Sequence, residues 1–189
     1  MTEIEKYVEA AKTSIDTIDC DKIKRASDLC VESVLSGGTI FFCGNGGSAV
    51  DAQHLAGELI GRFRLDREAI PAIAITANAA IITAIANDYD YSEIFARQLE
   101  ALGAPGDTLI AISTSGRSQN VIKAVEEAQR KSMKVISFTG SDGGALARMA
   151  DVSVRAISDE TSHIQEALLI AGHAICSAVE CACTDIRGR

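Results

Sequence analysis

Phe41-Phe-Cys-Gly44-Asn-Gly-Gly-Ser48-Ala-Val-Asp-Ala-Gln-His54-Leu-Ala-Gly-Glu58-Leu-Ile-Gly-Arg62 is the stretch on which the fold turns. The apolar run Thr39 to Cys43 reads as a buried strand, and the pattern from about Ser48 to Phe63 reads as a helix. Between them lie Gly44, Gly46 and Gly47, which allow positive φ and let an oxyanion come close to the backbone. A strand, a glycine loop and a helix start together present free N–H groups and a positive helix end to an anion. Asn45 and Ser48 add side-chain hydrogen-bonding groups, and Ser48 is placed to N-cap the helix. His54 and Glu58 are four residues apart and therefore share one helix face.

At 189 residues with 47% hydrophobic content the chain is expected to form a single domain with a large core. Aromatic residues make up only 4%, so that core is built mainly from Ala, Ile, Leu and Val. A net charge of −8 with dispersed Lys and Arg argues against non-specific nucleic-acid or anionic-membrane binding. Met1 to Ala11 is acidic and amphipathic, unlike a secretion signal, and no segment reads as an uninterrupted membrane span. The six cysteines lack a Cys-x-x-Cys pair and read as reduced thiols of a cytoplasmic protein. Cys181 and Cys183 have metal-ligand chemistry, but helix-face thiols are the ordinary fate of free cysteine.

Outward from the glycine loop, Ile4 to Ile18 and Ile23 to Leu35 have helical spacing, closed by Gly37-Gly38. After it come a charged turn, Arg64 to Glu68, and a second strand, Ile70 to Thr76, with Pro71 near its start. Ala79 to Ala86 and Tyr91 to Leu102 read as helices, Thr108 to Ser113 as a third strand, and Ser118 to Lys131 as a helix. Lys134 to Thr139 and Asp151 to Ala156 are the fourth and fifth strands, flanking a short helix at Ala145 to Met149. Ser162 to Cys183 is a long final helix. Short apolar strands alternating with helices predict an α/β domain with a parallel sheet covered on both faces. No linker, repeat or low-complexity tract interrupts residues 1–189, so a helical segment 1–36 is expected to lead into an α/β core with its final helix over 37–189.

Ser113-Thr-Ser-Gly-Arg-Ser118 places four hydroxyls and a glycine in a second strand-to-helix turn, a neutral cup suited to phosphate. In such folds ligands bind beyond the carboxyl ends of the strands. It is no nucleotide motif: the Walker Gly-Lys-Ser/Thr is missing, and Gly44-x-Gly46 lacks the dinucleotide pattern. His54 and Glu58 fit a metal pair, a base with its orienter, or an ordinary polar pair on a helix surface. The final helix carries His163, Gln165, Glu166 and His173 in an apolar pattern, with Gln165 and His173 eight residues apart on roughly one side. Together His54, Glu58, Gln165 and His173 would suit a borderline metal such as zinc, provided that the two helices meet. Asn87-Asp88 reads as a turn after a helix.

Cys43-Gly-Asn-Gly-Gly-Ser48, Gln53-His-Leu-Ala-Gly-Glu58, Ala84-Ile-Ala-Asn-Asp88, Ser113-Thr-Ser-Gly-x-Ser118, Thr139-Gly-x-Asp-Gly-Gly144 and Ile164-Gln-Glu166 with His173 resemble the phosphoheptose isomerase family of the sugar-isomerase-domain (SIS) superfamily. The resemblance runs from about Ile4 to Glu180 and is specific in combination; Ser-Thr-Ser-Gly alone marks only the superfamily. It implies a flavodoxin-like, five-stranded parallel sheet and a homotetramer, with the amino-terminal helices and the long final helix in its contacts and active sites between subunits. It implies conversion of sedoheptulose 7-phosphate into D-glycero-D-manno-heptose 7-phosphate through a cis-enediol, the first step towards bacterial lipopolysaccharide or capsule heptose. Implied roles are Glu58 and His173 in catalysis, and one zinc ion per subunit on His54, Glu58, Gln165 and His173. Substrate contacts are implied for Asn45, Gly46, Gly47, Ser48, Glu58, Asn87, Asp88, Ser113, Thr114, Ser115, Ser118 and Gln165. Two positions depart from many members: His163 stands in place of Arg and Leu168 in place of His. A related non-enzymatic branch that binds the replication initiator lacks the Glu and final His kept here.

Overall fold

The computed structural model describes residues 1–187, with side chains through Thr184; positions 188 and 189 of the expected domain lie outside the described residues. The elements run α1 (Glu3–Asp16), α2 (Cys20–Leu35), β1 (Ile40–Gly44), α3 (Gly47–Ile60), β2 (Ala72–Ala74), α4 (Ala79–Asp88), α5 (Ala96–Leu102), β3 (Thr108–Ser113), α6 (Gln119–Arg130), β4 (Lys134–Thr139), α7 (Gly144–Met149), β5 (Val152–Arg155) and α8 (Thr161–Arg187). The strands form one sheet in the order β2-β1-β3-β4-β5, every pairing parallel. Order 2-1-3-4-5 is the flavodoxin-like, doubly wound arrangement, and its change of direction lies between β1 and β3.

β1 and β3 are buried along their whole length, as central parallel strands with helices on both faces must be. Neighbouring residues of β1 serve opposite faces. Phe42 packs with Leu55, Leu59, Ile110, Phe138 and Ala171 under α2, α3 and α8, whereas Phe41 packs with Phe95, Leu99, Val125 and Val135 under α5 and α6. α1 is started by a capping box in which Glu5 N–H donates to Thr2 Oγ1 at 3.2 Å and Thr2 N–H donates to Glu5 Oε2 at 2.6 Å.

Four local expectations change. The second strand shortens to Ala72–Ala74. It is a sheet edge that begins after Pro71, whose carbonyl still accepts from Ile40 N–H at 3.1 Å. Tyr91 to Leu102 is not one helix: Asp90 caps a 3-10 turn, Tyr91–Glu93, and buried Ile94 and Phe95 separate it from α5. The charged turn after α3 is not all solvent-facing, because the Arg67 side chain is only 5% exposed. Finally, the Thr161–Thr184 part of α8 is long and apolar enough to cross a membrane, with mean hydropathy 1.6, although the sequence pattern showed no span. Half of that window is buried inside the domain, so its apolarity builds the core beside α2, α3 and the sheet.

Candidate active site

Gly46, with φ of 55°, is the residue that starts α3, and no side chain caps it. Ser48 is therefore not the N-cap: it lies one position inside α3 with its side chain buried. The helix start leaves the Gly47 and Ser48 N–H groups without an intrahelical acceptor, as an anion cradle requires, whereas Ala49 N–H already donates to the Gly46 carbonyl at 3.1 Å. Asn45 sits between strand and helix and pairs reciprocally with Asn120 at 2.9 and 2.7 Å. The Tyr91 hydroxyl donates to Asn45 Oδ1 at 3.1 Å, which brings the segment after α4 to the carboxyl end of β1. Asn87 and Asp88 are the last residues of α4 rather than a free turn; the Asn87 amide donates to Asp88 Oδ1 at 2.8 Å, and both are exposed.

The serine loop after β3 closes on itself. Ser113 Oγ lies 3.1 Å from Ser118 Oγ and 3.4 Å from Ser115 Oγ. Gly116 takes φ of 62° and lies against the backbone of Gly143 and Gly144, where Leu146 N–H donates to its carbonyl at 3.1 Å. Gly140 N–H donates to the Thr114 carbonyl at 2.9 Å, so the loop after β4 braces the serine cup. Arg117 reaches across to Asp142, and this bond, with that from Gly144 N–H, holds the Asp142 carboxyl below the usual carboxylate range.

The acid–base cluster forms where α3 meets α8. A side chain at Gly172 would collide with Leu55, and Cys176 Sγ contacts the Leu55 carbonyl at 3.8 Å, so the two helices approach closely there. His54 Nε2 consequently lies 2.8 Å from His173 Nε2 and 3.4 Å from Glu58 Oε1. One donor atom from each of His54, Glu58 and His173 falls within 4.8 Å of the others. The Phe63 ring stacks on His173 with centroids 5.6 Å apart at 23°. Burial, and secondly the neighbouring His54, lower the His173 pKa below the ordinary imidazole value against an opposing pull from Glu58. Two imidazole nitrogens and a carboxylate oxygen are the donor set of an open zinc site, so these residues fit that ion chemically.

Gln165 lies two turns before His173 on α8, and its amide abuts Gly47, where a Cβ could not fit beside it. It thus lines, with Gly47, Asp51 and Glu166, a concavity at the glycine-loop end of the α3–α8 seam. Burial raises the Asp51 carboxyl pKa above its usual value, opposed by His54. His163 is buried, edge-on to Tyr7 at 4.4 Å, and Leu168 is a core residue, so both departures from the family pattern face the interior. Cys181 is exposed and Cys183 buried on α8, and burial pushes the Cys43 and Cys176 thiols up to about 12.

Several supporting residues escaped the sequence pattern. Glu180, 1% exposed, accepts from Arg64 N–H at 2.9 Å, from Phe63 N–H at 3.2 Å and from Arg67 Nε at 3.2 Å. Arg67 in turn donates to the Glu58 carbonyl at 2.9 Å and the Leu59 carbonyl at 2.8 Å, satisfying the end of α3. A lone acid in the apolar stretch of α8, seven residues after His173, was the available signal for Glu180. Asn120 gave none beyond its place in the first turn of α6.

A family model of the SIS domain matches residues 5–140. A phosphoheptose isomerase from Shewanella halifaxensis is 47% identical over 181 residues, covering 93% of this chain and 92% of its own. Among solved structures, a phosphoheptose isomerase from Francisella tularensis matches with a TM-score of 0.88 at 40% identity, over 95% of this chain and 98% of that one. One from Neisseria gonorrhoeae matches with a TM-score of 0.87 at 38% identity, over 94% of this chain and 96% of that one.

Proposed function

The chain belongs to the SIS-domain family, among the phosphoheptose isomerases, and from that premise we propose that it converts D-sedoheptulose 7-phosphate into D-glycero-D-manno-heptose 7-phosphate as the first step of heptose biosynthesis. The observation that carries the mechanism is the convergence of Glu58 and His173 from two distant segments into one cluster. We assign the cup Ser113, Thr114, Ser115 and Ser118 to the phosphate, with Gly46, Gly47 and the backbone of Ser48 beside it. Anchoring this end lets remote binding energy position the reacting carbons. Asn45, Asn87, Asp88 and Gln165 line the path of the sugar chain.

Glu58, whose side chain is 22% exposed, takes the proton from the carbon beside the ketone, giving a cis-enediol, and returns it to the neighbouring carbon. His173 moves the proton between the two oxygens. Its lowered pKa keeps it neutral near pH 7, able to accept at one nitrogen and donate at the other. His54, Glu58 and His173, with Gln165 as the fourth member, are the residues assigned to zinc, which when bound would polarise a carbonyl oxygen. A carboxylate bound to a metal is a weaker base, and an imidazole whose lone pair is on a metal cannot accept a proton, so Glu58 and His173 must both hold the ion loosely if they also move protons.

The two loops end at the strand tips, whereas Glu58 lies ten residues along α3 from Ser48, roughly 15 Å of helix rise. That separation supports a site completed across a subunit boundary. α4 supports it too: it is an apolar helix without one fully buried residue. A homotetramer of single-domain protomers in the cytoplasm, without nucleic-acid or membrane partners, completes the proposal.

Direct assay with sedoheptulose 7-phosphate, with and without a chelator, tests it. Turnover in the wild type that is abolished in Glu58→Gln, with phosphate-ended ligands still bound, is the expected result. Normal turnover in Glu58→Gln removes Glu58 from the base role. Tight capture of a protein partner without any turnover would instead make the chain a silent sugar-phosphate sensor or initiator partner.

A further inference from the structure

Asn45 offers the strand-end crevice one remaining hydrogen-bonding valence, and the hydrogen bonds around it determine which kind. The chain of constraint starts at a backbone amide. Val121 N–H can only donate, and it points at the Asn120 side chain at 3.0 Å, so the Asn120 atom there is the oxygen. The other end of the Asn120 amide is then its nitrogen, and it lies 2.7 Å from Asn45. The Asn45 atom receiving it must be Oδ1. Tyr91 donates to the same oxygen at 3.1 Å, which occupies its second lone pair. Asn45 Nδ2 spends one hydrogen on Asn120 Oδ1 at 2.9 Å. Among the described residues nothing takes the other.

The parts are held firmly. Asn120 is 3% exposed, and turning its amide over would face its nitrogen against Val121 N–H. The turn carrying Tyr91 is tied to α6 by Lys123, whose ammonium bonds Glu93 at 2.6 Å and Ser92 at 2.7 Å. Asn45 itself is only half-buried, beside the glycine loop.

We infer that Asn45 meets the sugar phosphate solely as a hydrogen-bond donor to an oxygen, and that Asn120 and Tyr91 are positioning residues that hold it in that sense. This rests on the isomerase function proposed above. The recognised atom is an acceptor oxygen, either on the phosphate or on the sugar chain.

The test combines calorimetric binding of sedoheptulose 7-phosphate and of inorganic phosphate with steady-state kinetics, on wild type, Asn45→Asp, Asn120→Asp and Tyr91→Phe. Asn45→Asp keeps an acceptor for the Asn120 amide nitrogen and Tyr91, but it has no N–H to offer and sets its second oxygen against Asn120 Oδ1, so Kd and KM for the sugar phosphate rise about tenfold or more. Asn120→Asp sets two acceptors face to face and displaces Asn45, giving a similar rise in KM with kcat within about threefold. Tyr91→Phe, which leaves the Asn120 bond in place, raises KM a few-fold. A parallel loss of inorganic phosphate binding in Asn45→Asp places the oxygen on the phosphate; unchanged phosphate binding places it on the sugar, and both uphold the donor role. Wild-type affinity in Asn45→Asp overturns that role, and a wild-type KM in both Asn120→Asp and Tyr91→Phe overturns the positioning. Binding without turnover in the wild type sinks the isomerase function and leaves these comparisons of Kd decisive.

Discussion

His54 and His173 face each other nitrogen to nitrogen, Nε2 to Nε2 at 2.8 Å, from helices 119 positions apart in the chain. At that distance the two rings share one proton or jointly bind a cation, since two protonated rings would repel. Glu58 Oε1 lies 3.4 Å from His54, and a small spreading of the two rings would let all three groups hold the zinc ion proposed above. Zinc added to chelator-treated protein should therefore raise its melting temperature, by the equivalent of about 2.7 kcal/mol at one hundred times Kd. His173→Ala and His54→Ala should lose both the shift and the bound metal, measured by elemental analysis. Unchanged stoichiometry in both variants would disprove the site.

The same cluster sets a pH response in the metal-free protein. His173 titrates below the ordinary imidazole value when folded, because of burial and then of His54. As pH falls through the ordinary value, near 6.5, the unfolded chain takes up a proton that the folded chain refuses. The associated stability is present above that pH and is lost as pH drops towards the depressed folded value. Thermal unfolding from pH 8 to pH 5 should show a decline that shrinks in His173→Gln. Asp51, raised by burial, works in the opposite sense nearer the carboxylate range, so it does not mask the effect.

What could be read in advance divides by the range of the interaction. β1 and β3 were legible because a parallel strand buried on both faces needs an apolar side chain at nearly every position. His54 and Glu58 were legible as a pair because helix geometry alone puts them together. Their meeting with His173 was not, since it depends on Gly172 admitting Leu55 between the helices. Gln165 was grouped with them by its spacing from His173 on one helix side, and its amide lies against Gly47. The role of Arg67 within its charged turn was equally hidden, because its partner Glu180 is 113 residues away.

That partnership should be costly to break. Arg67 and Glu180 are both nearly inaccessible, and Glu180 fixes the backbone that holds Phe63 over His173. Removing one member of a buried pair leaves an uncompensated charge, at about 3–5 kcal/mol. For a chain of this size that is a fall of roughly 6–20 °C in melting temperature. Glu180→Ala and Arg67→Ala should both show it, and Arg67→Lys should not restore stability, because one ammonium cannot span the carbonyls that the guanidinium reaches. A loss below about 1 kcal/mol in all three would mean that the pair is idle.

Gly47 and Gly116 separate function from folding. A methyl group at Gly47 would displace only the end of the Gln165 side chain, which is flexible, and alanine suits the first turn of α3. Gly47→Ala should therefore melt within about 1 kcal/mol of wild type while losing most of kcat/KM, if Gln165 acts on substrate or metal. At Gly116 the same methyl meets the Gly143 carbonyl, which is backbone and braced by the loop after β4, and φ of 62° is already unfavourable for alanine. Gly116→Ala should cost at least about 2 kcal/mol and open the serine cup, so stability and inorganic phosphate binding fall together. Paired melting curves and kinetics distinguish the cases: a Gly47→Ala enzyme with wild-type kcat/KM would show that Gln165 can leave its place at the glycine loop without consequence, and would remove it from the site.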